Sequence, residues 1–341
     1  LAASLGACAS ATSLPAPPGA EPPPSLKEAF GRLMPFGSAV TPEQLRGPEA
    51  AFIARHFNVL VAENVMKPEF LAPKQEGQYE FGPADELVNF ALARGMKVRG
   101  HTLLWHRQMP AWFFKEGNAV VSRAMLIARV ERYIADVVGH FKGRVYAWDV
   151  VNEAVTVDEP DAQADANGLR IAEFYKIIGP EYIDIAFRAA AKADPDALLF
   201  YNDYETQNPK KVALVSRLVS GLKARGVKID GIGHQAHCSA GHPGVADFER
   251  AIDAYARLGV TQHVTELDIA LNHNLMDTTV TAATPELLAR QARRYGELVS
   301  LFLRKRAQVT ALLVWGIGDS YTWLTSWPVK RFEAPLLFDT A

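Results

Sequence analysis

Cysteine is scarce in this chain, with only Cys8 and Cys238 among 341 residues. Two thiols so far apart make no disulfide framework, and Cys238 reads as a thiol packed near a strand end. Long apolar runs are missing as well. No segment approaches the roughly 20 apolar residues that a membrane-spanning helix needs, so a bilayer span is excluded for the folded part. Charge of one sign is also lacking: 36 Lys and Arg stand against 38 Asp and Glu, a net of -2. That balance offers no broad field to a polyanion, which argues against nucleic acid and leaves a nearly neutral polymer as a partner. The histidines and cysteines do not fall at zinc-site spacing. No P-loop is present, and the acidic stretch 158–182 lacks the glycine and terminal glutamate of a calcium loop, so Asp158, Asp161 and Asp165 read as solvated loop charges. The expectation is a protein without metal or organic cofactor.

What the chain does have is apolar content of 49%, enough for one large core. Residues 1–24, "LAASLGACASATSLPAPPGAEPPP", are small and apolar, then Pro- and Ala-rich. They read as an export-signal remnant or a flexible tether. The expectation is an exported protein, secreted, periplasmic or associated with a bacterial outer membrane. "LGAC" (5–8) resembles a lipoprotein processing box, which would make Cys8 a lipid anchor. Residues 25–341 then repeat one order of elements. Eight apolar segments lie at 33–40, 57–64, 96–105, 144–153, 197–204, 228–237, 261–270 and 309–319, several of them apolar almost throughout, as parallel strands covered on both faces are. Stretches with one apolar face per helical turn separate them, among them 83–95, 124–141, 181–193 and 210–226. Residues 117–125 read as a loop entering a helix with Ser122 as cap. Eight strand–helix alternations predict an α/β fold, a closed (β/α)8 TIM barrel in a single domain. The alternative, a doubly wound open sheet, would carry a glycine-rich turn after its first strand, and none is there.

In such a barrel the C-terminal strand ends carry the chemistry. Polar and aromatic residues gather at those ends: Glu63 and Asn64, His101 and Trp105, Asn152 and Glu153, Asn202 and Asp203, Gln235 and His237, Glu266 and Asp268, Trp315 and Asp319. Glu153 and Glu266 end the fourth and seventh strands, on facing walls. Two carboxyl groups held in opposite protonation states suit the cleavage of a glycosidic bond, one protonating the leaving oxygen while the other works at the sugar carbon. A gap of about 5–5.5 Å between them would mean a covalent intermediate and retention, about 6.5–9.5 Å inversion. Glu266 and Asp268 share a face because strand side chains alternate.

The ordered motifs "AENVMKPE" (62–69), "RGHTLLWH" (99–106), "WDVVNEAV" (148–155), "YNDYE" (201–205), "GIGHQAH" (231–237), "VTELDI" (264–269) and "VWGIGDSYTW" (314–323) resemble glycoside hydrolase family 10, the endo-β-1,4-xylanases, across about 25–341. The resemblance implies a retaining hydrolase of xylan and xylo-oligosaccharides, with Glu153 as acid/base and Glu266 as nucleophile. It implies catalytic support from Asn152, which would hold a sugar 2-hydroxyl, and from Asn202, Gln235, His237 and Asp268. Sugar contacts would come from Glu63, Asn64, Lys67, His101, Trp105, Gln108, Trp315 and Trp323, with Tyr204 on the leaving side. Glu205 departs from the asparagine usual in that motif, which puts the leaving-side contacts in doubt. Trp148 and Asp149 read as supporting rather than catalytic, and the connection at 158–182 as a rim of the cleft. The protein is expected to act as a monomer. Two other readings stay open: a barrel hydrolase preferring cellulose-like substrates, and an inactive carbohydrate-binding barrel.

Overall fold

The expected barrel closes. A computed structural model describes residues 24–159 and 162–339, so Cys8 and Asp161 lie outside the described residues. Eight strands form the wall: β1 (Phe36–Val40), β2 (Val59–Ala62), β3 (Lys97–Gly100), β4 (Ala147–Asn152), β5 (Leu198–Asp203), β6 (Gly231–His234), β7 (Thr261–Ala270) and β8 (Val309–Val314). Each runs parallel to the next, and Phe36 opposite Leu312 joins β8 back to β1. Closure leaves this sheet no open edge. Two short pieces extend the wall upward: Leu104–Trp105 pairs with β4, and His237–Ser239 with β7.

Every one of the eight apolar segments holds a strand, because a parallel strand under a helix is buried on both faces. Helices cover the wall at Gly82–Leu92, Arg123–His140, Tyr182–Ala193, Pro209–Ala224, Val245–Ala256 and Pro285–Arg304. The last begins at Thr284, whose hydroxyl accepts from the Leu287 amide, with Pro285 in the first helical position. It buries Leu298, Leu301 and Phe302 completely, each contributing about 1.5–3 kcal/mol relative to exposure. Ser122 caps Arg123–His140 as expected. The stretch before it is more ordered than a loop, since Ala119–Val120 pairs antiparallel with Lys115–Glu116.

A second, smaller apolar cluster of Ala39, Val59, Val61, Ala311, Leu313 and Trp315 is separate from the core between wall and helices. The fully buried Arg99 donates to Asp149 through Nε and Nη2 and meets His263 Nδ1 at 2.8 Å. Burial, with Arg99 beside it, holds the His263 imidazole well below its ordinary pKa, so this nitrogen accepts. A buried cation is tolerable only with such partners. The chain of contacts continues to His101, whose Nδ1 lies 3.0 Å from Asp149 Oδ2. Gly100 is required where it stands, because a Cβ there would enter the Trp148 ring.

The connection after β4 is less loose than its composition suggests. It contains a helix, Glu173–Ile178, and Asp165 is no solvated charge: its carboxylate accepts from the Asn167 and Leu169 amides and the Tyr175 hydroxyl. Asp158 is exposed and paired with Lys210 at 2.6 Å.

Candidate active site

The strand ends bring most of the predicted polar residues into one network. Asn202, at the end of β5, is its centre. Its Nδ2 donates to Asn152 Oδ1 at 2.9 Å and to Glu266 Oε1 at 2.8 Å, while its Oδ1 accepts from the Thr265 hydroxyl. This reach depends on Gly233 in the neighbouring strand, since a Cβ at 233 would collide with the Asn202 amide oxygen. The two carboxylic acids are thereby tied through one pair of asparagines.

Glu266 is 4% exposed and held at both oxygens. His237 Nε2 lies 3.2 Å from Oε2, and His237 Nδ1 lies 2.9 Å from Asp268 Oδ2. Burial opposes charge on the imidazole, but Asp268 and then Glu266 outweigh it and push the His237 pKa up to about 10. Near neutrality both ring nitrogens therefore donate. Burial likewise works against an ionised Glu266; the hydrogen bond from His237, the nearby His101 and His237 rings and the Asn202 bond prevail and leave its pKa below the ordinary value. Trp323 Nε1 adds a third bond to the relay, 2.9 Å to Asp268 Oδ2.

Glu153 follows β4 immediately, with a left-handed backbone at φ 57°. Such a conformation costs a side-chain-bearing residue about 1–3 kcal/mol and turns the carboxyl out of the strand direction. Its partners are donors without charge. Trp105 Nε1 reaches Oε2 at 2.7 Å, and Gln235 Nε2 and Asn152 Nδ2 reach Oε1 at 2.9 and 3.2 Å. His106 Nδ1 stands 3.9 Å from Oε2 with no hydrogen-bond partner. Burial, Arg170 and Arg107 lower the His106 pKa to about 3, so the ring is neutral.

One wall beside the pair carries Glu63, Asn64 and Lys67. Lys67 is buried, donates to Asn64 Oδ1 at 2.9 Å, and stands 5.2 Å from the Trp105 ring centroid. Burial lowers its pKa against the attraction of Glu266, Glu63 and Glu153; burial raises that of Glu63. Gln108 is placed through its backbone, whose carbonyl accepts from the Glu69 amide at 2.9 Å. Trp315 packs edge-on against His101 at 5.4 Å, and Trp323 lies 4.9 Å from the His237 ring. Their flat apolar faces beside hydroxyl-binding groups suit a pyranose ring.

Other predicted positions differ in their engagements. The Tyr204 hydroxyl is bonded to Glu159 and to Arg170 Nη2. Asp319 accepts from the Leu336 amide, tying down the last segment of the described chain instead of joining the carboxyl pair. Glu205 is exposed, with φ 49°. Two close neighbours of Glu153, His106 and Arg170, went unread. The first was visible inside "LLWH"; the second is brought in only by the folding of the connection after β4.

The model for glycosyl hydrolase family 10 matches residues 25–341. A β-1,4-xylanase of Dictyoglomus thermophilum is 43% identical over 318 residues, covering 93% of this chain and 87% of that one. A thermostable celloxylanase of Thermoclostridium stercorarium is 40% identical over 334 residues, covering 94% and 84%. Among solved structures, xylanase XynB from Paenibacillus barcinonensis superposes with a TM-score of 0.87 at 40% identity, over 93% of this chain and 94% of that one.

Proposed function

The chain belongs to glycosyl hydrolase family 10, and we propose from that premise that it hydrolyses internal β-1,4 bonds of xylan with retention of anomeric configuration. In the first step the Glu266 carboxylate bonds to the anomeric carbon as the glycosidic C–O bond breaks, and Glu153 gives its proton to the departing oxygen. In the second, Glu153 takes a proton from water, the water oxygen bonds to the anomeric carbon, and the Glu266 ester is released. Asn152 is placed to bond a 2-hydroxyl more strongly as charge develops. Glu63, Asn64, Lys67, His101, Trp105 and Gln108, with Trp315 and Trp323, hold the sugars on the nonreducing side; Tyr204 borders the leaving side.

The observation that carries the reading is the unlike setting of two carboxyl groups within one network. The Glu266 carboxyl lies against an imidazolium, and the Glu153 carboxyl accepts from neutral donors only. Glu266→Ala assayed on soluble xylan is the direct test, and ordinary turnover would refute the nucleophile. Retention is checked separately by the configuration of the first product, read by proton NMR.

Xylan is a polymer outside cells, which agrees with export, and the Ala- and Pro-rich stretch 1–24 suits a tether. We take the enzyme to act there as a monomer, free or anchored at Cys8. Among the described residues no helix is long and apolar enough to cross a membrane. Fractionation of an expressing host with radiolabelled palmitate separates free from anchored forms, and a sedimentation measurement checks the monomer.

A further inference from the structure

The Glu153 turn is held by a side chain 17 residues downstream. The Glu153 amide donates to the Asn202 carbonyl at 2.9 Å, and its own carbonyl accepts from Arg170 Nε at 3.2 Å. The Arg170 amide also donates to the Ala154 carbonyl at 2.7 Å, so backbone and side chain of one residue hold two successive carbonyls on the C-terminal side of the left-handed position, while Asn202 holds its amide. Arg170 arrives there because the connection after β4 folds back on itself, with bridges between Val155 and Leu169 and between Ala164 and Arg170. Arg170 is buried, 8% exposed. Its far end is anchored: Nη2 lies 2.9 Å from both Glu159 oxygens and 2.9 Å from the Tyr204 hydroxyl, which itself donates to Glu159. A planar fork with fixed donor directions suits this double duty; a lysine would bring one freely rotating ammonium and no second donor nitrogen to fix the direction.

We propose that Arg170 is a positioning residue for the acid/base: by fixing the Glu153 carbonyl, with Glu159 and Tyr204 as its anchor, it aims the Glu153 carboxyl at the leaving oxygen. The inference rests on the acid/base reading of Glu153. It predicts a specific defect. Proton donation suffers when the turn relaxes, while attack by Glu266 on the anomeric carbon does not, since Glu266 is held by β5 and by the short strand His237–Ser239. A misplacement of about 1 Å can reduce a rate on the order of 10²-fold.

The test compares kcat/KM on aryl β-xylobiosides whose leaving groups range from 2,4-dinitrophenol to phenol, for the wild type, E153A, R170K and E159Q, with thermal unfolding followed in parallel. E153A should lose about 10²-fold or more on the phenyl substrate and little on the dinitrophenyl one. R170K should show the same slope with a loss of about tenfold or more on the phenyl substrate, and E159Q the same direction more weakly. Equal losses on both substrates, or none, would mean a loop staple only and overturn the proposal. Should R170K fail to fold, E159Q decides by the same criterion. A flat response of E153A would instead sink the acid/base reading itself.

Discussion

Replacing His237 with asparagine should make the enzyme fail in acid first. The imidazolium sits between Glu266 and Asp268, 3.2 and 2.9 Å away, and its pKa of about 10 keeps it charged across the working range. A hydrogen bond to a charged group is worth about 1.5–3 kcal/mol, and about 1.4 kcal/mol is a factor of ten in an ionisation equilibrium. Asparagine removes the charge and leaves at most one neutral donor. The ionised form of Glu266 is then favoured roughly 10- to 100-fold less, and two carboxylates on one strand face are left without their cation. The sign follows from the direction of the shift. Glu266 is depressed in the wild type, so its ionised fraction is lost only as pH falls through that lowered value; with the imidazolium gone, the loss begins at higher pH. The acid limb of kcat/KM for an aryl xylobioside should therefore move to higher pH by about 1–2 units, so that activity is lost at a pH where the wild type still works. An acid limb in its original place, with a uniform loss at every pH, would refute the assignment of His237 as the group that keeps Glu266 charged.

Further outcomes follow from the same geometry. Asn202→Ala removes the donor to Glu266 and the link to Asn152 together; kcat on xylan should fall at least tenfold with a smaller change in KM, and an unchanged kcat would count against the shared network. Gly100→Ala drives a methyl group into the Trp148 ring and should destabilise the fold by about 1–3 kcal/mol, read as a lowered midpoint in urea. Carboxymethyl cellulose should be cleaved far more slowly than xylan, because glucose adds a hydroxymethyl group that the cleft must house; comparable kcat/KM values would favour a barrel hydrolase preferring cellulose-like substrates.

The barrel was legible because its strands are buried on both faces, so that short apolar runs such as the one holding Val59–Ala62 recur eight times between stretches of helical period. Long helices were legible through their apolar stripe. Glu49–His56 was missed: eight residues with one fully buried side chain, Ile53, make too short a stripe to stand out. The strand-end residues were readable for a related reason, since a polar group following an apolar strand is costly to bury and needs an explanation. Asp165 and Arg170 had no such signal. Both sit in a polar connection: Asp165 takes the Asn167 and Leu169 amides of its own turn, and Arg170 reaches the Glu153 carbonyl only once that connection has folded back on β4.

The two glutamates differ in what donates to their carboxyl oxygens. Beside Glu266 the protein places an imidazolium and braces it with Asp268, which Trp323 bonds in turn. Beside Glu153 it could have done the same, because His106 Nδ1 is only 3.9 Å away. A charged ring at that distance would favour the carboxylate and strip the acid of its proton. Burial forbids that charge, and Arg170, the second influence on His106, reinforces the prohibition while spending its own hydrogen bonds on the Glu153 carbonyl and on Glu159. One arginine thus holds the Glu153 carbonyl and helps keep the His106 ring neutral, without touching the Glu153 carboxyl group. Lys67 differs between the two glutamates in the same sense, since the attraction of Glu266 on it exceeds that of Glu153. A cation introduced near Glu153, as by His106→Lys, should for this reason lower the alkaline limit of activity on xylan while leaving activated aryl substrates nearly unaffected. An unchanged alkaline limb would separate the neutrality of His106 from the function of Glu153.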